Sequence, residues 1–106
     1  MRTHPSKATL KRYGLSAEEW TAIWQRQGER CPICKRSDAP LVIDHEHVPN
    51  WKKLPPEKRK LYVRGIPCSW CNRWIIGRGA THEKLANGAI YLLKYEKRKD
   101  DTIHTR

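Results

Sequence analysis

Large apolar side chains are scarce: the sequence contains no phenylalanine, and only 38% of its 106 residues are hydrophobic. A chain of this length forms one domain, and a core this thin leaves little margin of stability. No apolar run approaches the ~18 residues that a bilayer span needs, which excludes a membrane-spanning protein. The first residues lack the apolar segment of a signal peptide, so we expect an intracellular, cytoplasmic location.

Acidic side chains are also in short supply. Only 11 aspartates and glutamates stand against 22 lysines and arginines, for a net charge of +11. A surplus of this kind is typical of proteins that bind polyanions, nucleic acid before any other. An anionic membrane surface is the weaker alternative, because no strongly basic helix with an apolar face stands out. We therefore expect DNA as the partner, and no membrane.

The cysteines are few but patterned. All four lie in two Cys-x-x-Cys pairs, Cys31 with Cys34 and Cys68 with Cys71. Each pair offers two thiolates from one tight turn, so two segments can complete a tetrahedral zinc site. Disulfides or free thiols are the alternative, and the lack of an export signal favours thiolates. Zinc contributes ~10–16 kcal/mol in small domains, against a net stability of ~5–15 kcal/mol, so one structural Zn²⁺ would decide folding.

Local signals predict the order of elements. Ser16 and Glu19 form a capping box for a helix over residues 16–27, whose Trp20 and Trp24 fall on one face and should pack in the core. Gly28 ends this helix. The remaining predictions are a strand Leu41–Ile43, a polar connection 48–62 with a short helix opening at Pro55–Glu57, a strand Tyr62–Ile66 pairing with the first, a helix 68–76 and a helix from Thr81 to near Tyr95. We expect a basic mobile arm over 1–12, a folded region over 13–95 and a basic flexible tail over 96–106.

An acid beside a histidine ends the first predicted strand. Asp44 and the later Asn72 offer oxygen ligands, which suit Mg²⁺ or Mn²⁺. His45 points to the other side of an extended chain and is neutral near pH 7–8, so it can act as a general base. Asn72 directly follows Cys71, so zinc would fix its position. His47 shares the side of His45 and either assists catalysis or makes a structural hydrogen bond.

Basic residues around this site are candidates for contact with phosphate. Those we assign to DNA binding are Lys52, Lys53, Lys58, Arg59, Lys60, Arg64 and Arg73. A solvated loop is the alternative for those in the 48–62 connection, and the excess of positive charge favours phosphate contact. Trp70 and Trp74, at helical spacing, should pack in the core rather than stack on bases.

The motifs taken together resemble a known family. In order they are Tyr13-Gly14-Leu15, Cys31-Pro-Ile-Cys34, Val42-Ile43-Asp44-His45-Glu46-His47, Val63-Arg64-Gly65-Ile66-Pro67-Cys68 and Cys71-Asn72. This set resembles the HNH endonucleases with a ββα-metal (His-Me finger) fold, and among them the phage recombination endonuclease VII type. The resemblance implies a small zinc-stabilised α+β domain with flanking helices. It also implies catalytic roles for Asp44, His45 and Asn72.

Two departures from the family concern substrate and assembly. The connection from His47 to Val63 is longer than the family's, and the sequence stops soon after Tyr95, where endonuclease VII continues. We therefore expect a phosphodiester hydrolase that nicks duplex or branched DNA with little sequence specificity. It would be phage-encoded, act in a bacterial host, and be a monomer or a homodimer, with the monomer slightly favoured. The alternatives are a non-catalytic zinc module that binds nucleic acid and a sequence-specific homing-type nickase.

Overall fold

The computed structural model describes residues 3–77 and 79–101, with side chains as far as residue 96. This part of the chain is a small α+β fold with one two-stranded sheet, which confirms the predicted class. The elements are α1 (Lys7–Tyr13), α2 (Ala17–Arg26), β1 (Asp44–His45), α3 (Pro56–Arg59), β2 (Val63–Gly65), α4 (Ser69–Trp74) and α5 (His82–Asp101). Short 3₁₀ turns at Trp51–Lys53 and Lys60–Tyr62 flank α3.

Helix α2 begins as its capping signals predict. The Glu19 N–H donates to the Ser16 hydroxyl at 3.0 Å, and the Ser16 N–H donates to the Glu19 carboxylate at 2.9 Å. Beyond its last residue, Gly28 takes a φ of 76°, the left-handed conformation that glycine adopts without strain. Trp20 and Trp24 are 2% and 1% exposed, which confirms that they pack in the core.

Helix α1 was not predicted, because the basic composition of residues 1–12 suggested a mobile arm. Ser6 caps this helix by accepting from the Thr9 N–H at 3.3 Å, and Gly14 ends it with a φ of 72°. Leu10 is only 4% exposed and joins the core beside Trp20 and Trp24. Leu10, with the partly buried Tyr13 packed against the same core, fixes one face of a segment whose other face is charged and solvated. Residues 1–2 lie outside the described part.

Two clusters of buried side chains form the interior. The larger comprises Leu10, Trp20, Trp24, Ile43 and Ile66, and the smaller comprises Cys31, Ala39, Cys68 and Cys71. The side chain of Gln27 joins α2 to the segment after β2: it accepts from the Ile66 N–H at 2.7 Å and donates to the Ile66 carbonyl at 3.0 Å. These two hydrogen bonds satisfy backbone groups that the short sheet leaves without a strand partner.

The sheet lies further along the chain than predicted. β1 is Asp44–His45 rather than Leu41–Ile43, and it pairs antiparallel with β2. Leu41 forms only an isolated bridge with Cys68, while the Val42 N–H donates to the Pro67 carbonyl at 3.0 Å. Pro67 has no N–H to donate, so it interrupts the ladder between this bridge and β2.

The 48–62 connection is folded, and α3 opens at Pro56 as predicted. The Arg59 guanidinium holds it by donating to three carbonyl oxygens: Leu54 at 2.8 Å, Lys52 at 2.6 Å and Arg12 at 3.1 Å. Gly14 lies against the Pro56 carbonyl, where a Cβ atom would collide with it. The connection is therefore anchored to α1 rather than spread over the surface.

Helix α4 is more exposed than predicted, and helix α5 is longer. Trp70 and Trp74 on α4 are 60% and 51% exposed, so the prediction that they pack in the core is wrong. That face of α4 is exposed within the part of the chain that the structure describes. Helix α5 continues past Tyr95, where the sequence predicted its end, to Asp101, while 102–106 lie outside the described part. No helix of the described residues has the length and apolar character to cross a membrane.

Candidate active site and metal centre

The four cysteines converge on one point. Their sulfur atoms all lie within 4.8 Å of one another, and the Cys34 and Cys68 sulfurs are 3.7 Å apart. Two thiolates bound to a tetrahedral zinc at ~2.3 Å would be about 3.8 Å apart, so the spacing fits this metal. Cys31, Cys68 and Cys71 are buried and Cys34 is exposed. The four residues predicted as ligands are thus positioned to bind one metal ion.

The two tight turns explain how the sulfurs are presented. The Ile33 N–H donates to the Cys31 sulfur at 3.4 Å, and the Cys71 N–H donates to the Cys68 sulfur at 3.4 Å. Burial opposes ionisation of Cys31, but hydrogen bonds with the backbone of Cys68, Cys34 and Ile33 outweigh it and lower its pKa to about 6. Burial and the neighbouring thiols instead raise the pKa of Cys71. Four adjacent thiolates therefore need a cation to ionise together.

Asp44 is buried at the start of β1, with 8% of the residue exposed. Its carboxylate accepts two hydrogen bonds from Arg64, from Nε at 2.8 Å and from Nη2 at 3.0 Å. Asp44 and Arg64 line an open cavity of about 330 Å³, together with Pro32, Ile33 and His82 among other residues. His82 was assigned no role from the sequence, since nothing in its position on the chain links it to Asp44. The first cysteine turn and the start of α5 thus border the cavity of Asp44.

His45 lies in a different cavity, together with His47 and Trp51. Its ring stacks on Trp51 with centroids 4.1 Å apart and planes at 22°, and the Tyr13 ring lies 5.7 Å away. Burial first, and then the charge of His47, lower the pKa of His45. The ring is therefore neutral at pH 7 and able to accept a proton. Asp44 and His45 point to opposite sides of the strand, as its alternation requires.

Trp51 is the residue that sequence analysis missed. Besides His45, Trp51 contacts Tyr13, and the centroids of the Trp51 and Tyr13 rings are 5.5 Å apart. The Arg59 guanidinium carbon lies 5.3 Å from the centre of the Trp51 ring. A single tryptophan within a charged, proline-rich connection was the available signal. The connection thus supplies one wall of the histidine site.

Asn72 and His47 are placed less centrally. Asn72 is half-buried on α4 directly after Cys71, and its N–H donates to the Cys68 carbonyl at 3.0 Å. The residues that line the Asp44 cavity do not include Asn72. His47 is exposed, with its ring centroid 5.1 Å from that of His45. Asp44 with Arg64, and His45 with His47 and Trp51, are the two groups that the fold assembles.

The basic residues assigned to DNA fall into two sets. Three are engaged within the chain: Arg59 with carbonyl oxygens, Arg64 with Asp44, and Lys60 with the Glu19 carboxylate at 2.9 Å. The others are exposed: Lys52, Lys53, Lys58 and Arg73. The second set is open to a polyanion, and the Lys60 and Arg64 side chains, which are 40% and 52% exposed, are partly open to one.

Comparison with known proteins gives one family and two phage relatives. Residues 6–95 match the family described as recombination endonuclease VII. The gene 59 protein of Mycobacterium phage D29 is 38% identical over 71 residues, which cover 64% of this chain and 36% of that protein. The gene 59 protein of Mycobacterium phage L5 is 32% identical over 71 residues, which cover 64% of this chain and 37% of that protein. The chain thus spans little more than a third of these curated relatives, and no solved structure matches it.

Proposed function

Because the chain belongs to the recombination endonuclease VII family, we propose that it is a metal-dependent endonuclease that hydrolyses phosphodiester bonds in DNA. We further propose that it is of the HNH type, with a ββα-metal site, and that it nicks duplex or branched DNA with little sequence specificity. The observation that carries the proposal is the pair on β1: a buried carboxylate at Asp44 next to a stacked, neutral imidazole at His45. The sequence has one such Asp-His pair, hence one proposed active site that can cut one DNA strand at a time, so we expect nicks.

The donor set at Asp44 fits a hard divalent ion. A buried carboxylate inside a cavity of about 330 Å³ offers two oxygen atoms and leaves space for water and phosphate oxygens. We further propose that Asn72, which follows Cys71 and does not line this cavity, adds an amide oxygen when the ion binds. Such oxygen ligands are preferred by Mg²⁺ and Mn²⁺. When bound, the ion would neutralise charge on the phosphate and support the leaving oxygen.

His45 has the features of a general base. The stack on Trp51 holds its ring in one orientation, and burial keeps it neutral at pH 7. An imidazole nitrogen of His45 would take the proton of the attacking water. His47 lies close enough to bind a phosphate oxygen beside it or to assist the proton transfer.

The cysteine cluster would act through the fold. A zinc ion on Cys31, Cys34, Cys68 and Cys71 would tie the first turn to α4, and so support the wall of the Asp44 cavity that Pro32 and Ile33 form. It would also hold Asn72, the residue after Cys71. Zinc would thus order the site without contact with substrate.

The exposed lysines and arginine would bind the backbone of DNA. Lys52, Lys53 and Lys58 lie in the connection that carries Trp51, so phosphate contacts there would place DNA over His45. Contacts of this kind are independent of sequence. Because the two relatives are phage proteins, we also propose a phage-encoded enzyme that acts inside a bacterial host.

The test is plasmid cleavage by three proteins: the parent, His45→Ala, and a matched control, His4→Ala, whose histidine is exposed near the N-terminus. With Mg²⁺ or Mn²⁺ the parent and the control should cleave, and EDTA should stop them. His45→Ala should stay folded and bind DNA. Its cleavage rate should fall by a factor of ~10²–10⁴, the usual contribution of a general base. Asn72→Ala should weaken the dependence on the divalent ion. Near-parental cleavage by His45→Ala would refute the assignment and favour a module that only binds nucleic acid.

A further inference from the structure

The contact between Arg64 and Asp44 uses both oxygens of the carboxylate. Nε donates to Oδ2 at 2.8 Å and Nη2 donates to Oδ1 at 3.0 Å, the parallel geometry in which guanidinium and carboxylate bind most strongly. The two ends differ in environment: the Asp44 side chain is 9% exposed and the Arg64 side chain is 52% exposed. The carboxylate is thus fixed inside the protein, while the guanidinium reaches it from the surface.

The backbone is shaped to make this contact. Asp44 pairs with Gly65, and His45 pairs with Val63, so the register shifts by one residue between them. Arg64 lies between Val63 and Gly65 and is therefore the extra residue of a β-bulge, without a partner of its own on β1. Bulges of this kind redirect a side chain, and they are common next to active sites. The bulge here directs Arg64 onto the carboxylate of its neighbouring strand.

Arg64 donates to both oxygens of Asp44, so a divalent ion that approaches the same oxygens must displace a hydrogen bond and meets the repulsion of the guanidinium charge. We propose that Arg64 is a built-in competitor of the divalent ion: it holds Asp44 while no ion is bound and is displaced when the ion binds. This inference rests on the proposed function, in which Asp44 is a ligand of the ion. It explains how an ionised Asp44 stays buried in the ion-free protein, where an unpaired charge would be strongly destabilising.

The displaced side chain has somewhere to go. Because Arg64 is half exposed at the edge of the Asp44 cavity, its guanidinium can turn outward without leaving a buried site. Phosphate is the natural partner there, since it accepts the same paired hydrogen bonds as a carboxylate. A DNA phosphate would then favour release of Arg64, and so favour binding of the ion. By reciprocity the ion would favour DNA binding to the same extent.

Binding of Mn²⁺ to the zinc-loaded protein, without DNA, tests the competition directly. The loss of the electron paramagnetic resonance signal of free Mn²⁺ gives the dissociation constant, and no cleavage is needed. Arg64→Ala should bind Mn²⁺ ~10-fold more tightly than the parent, because no charge-assisted pair has to be broken. The matched control is Arg26→Ala, which removes an exposed arginine near Arg64, beside a cavity that both line. This control should leave the Mn²⁺ affinity close to the parent's.

Thermal melting provides the second readout, since Arg64→Ala leaves Asp44 unpaired. Without Mn²⁺ the variant should melt below the parent, and Mn²⁺ should raise its melting temperature by more than it raises the parent's. Equal Mn²⁺ affinity in the parent and Arg64→Ala, or equal tightening in Arg26→Ala, would overturn the competition. Asp44→Asn separates this from failure of the proposed function. If Asp44→Asn binds Mn²⁺ as the parent does, the ion is not held by Asp44 and the proposed catalytic site itself is wrong.

Discussion

The stack of Trp51 on His45 makes a quantitative prediction for Trp51→Ala. The substitution removes a ring contact at 4.1 Å that orients the proposed base, a ring contact with Tyr13 at 5.5 Å and the cation contact of Arg59 at 5.3 Å. His45 keeps its place on β1, because its backbone pairing with Val63 is not removed by the substitution. The loss should therefore affect the orientation of the imidazole, and with it kcat, more than binding of DNA.

The size of the effect follows from the contact that is lost. An aromatic pair contributes ~0.5–1.5 kcal/mol beyond the area that it buries. Since ~1.4 kcal/mol corresponds to a factor of ten, the population of the productive ring orientation should fall by ~2- to 12-fold. We expect kcat to fall by a factor in that range, with KM for DNA nearly unchanged. Trp51→Phe retains an aromatic face for the histidine and should recover most of the rate.

The assay is a steady-state measurement of kcat and KM on a labelled duplex at saturating Mg²⁺. The matched control is Trp74→Ala, since Trp74 also has an arginine over its ring, with Arg73 at 5.3 Å, but has no ring contact with His45 in the described part of the chain. This control should cleave at the parental rate. Circular dichroism of each variant verifies that the fold persists.

Three results would refute this account of Trp51. Parental kcat in Trp51→Ala would show that the stack does not orient the base. An equal loss in Trp74→Ala would show a general effect of removing a surface tryptophan. A rise in KM alone, with kcat unchanged, would show that Trp51 contacts DNA instead of His45.

Three further predictions concern the metal, the packing of α1 and the product. Cys71→Ser should abolish the cooperative melt, because it removes one of four sulfurs that lie within 4.8 Å; a melt like the parent's would contradict a structural zinc. Gly14→Ala should cost about 2 kcal/mol or more and lower the melting temperature by roughly 10 °C, because its Cβ would collide with the Pro56 carbonyl at a φ of 72°. Gly28→Ala, which has a φ of 76° but nothing closer than 3.7 Å, should cost less, and equal losses would contradict the close approach. Supercoiled plasmid should become open circle before linear DNA appears; linear product from the start would indicate paired subunits. Because binding to phosphates releases counterions from the DNA, the cleavage rate should fall steeply as the salt concentration rises.

The sequence by itself determined the features that depend on a few neighbouring residues. The capping box of Ser16 and Glu19 and the stop at Gly28 were predicted and are present, because each is closed by hydrogen bonds or backbone conformations within one helical turn. The cysteine pairs were equally legible, since each turn presents its own two sulfurs.

Burial of the tryptophans was decided only by tertiary structure. Trp20 and Trp24 share their spacing with Trp70 and Trp74, yet the first pair is buried and the second is exposed. Helical spacing places two side chains on one face, but it does not state whether another element covers that face. Leu10 shows the converse: it lies in a basic segment whose composition did not predict packing, yet it is buried against Trp20 and Trp24 of α2.

The candidate site divides in the same way. That Asp44 and His45 point to opposite sides follows from the alternation of an extended chain, which the sequence alone implies. Their partners do not follow from it. Arg64 lies 20 positions after Asp44 in the sequence and contacts it through a shift in register. Trp51 contacts His45 because Arg59 and Gly14 anchor the 48–62 connection to α1. Contacts of this kind depend on where the backbone turns, and that position is set by the packing of the whole domain.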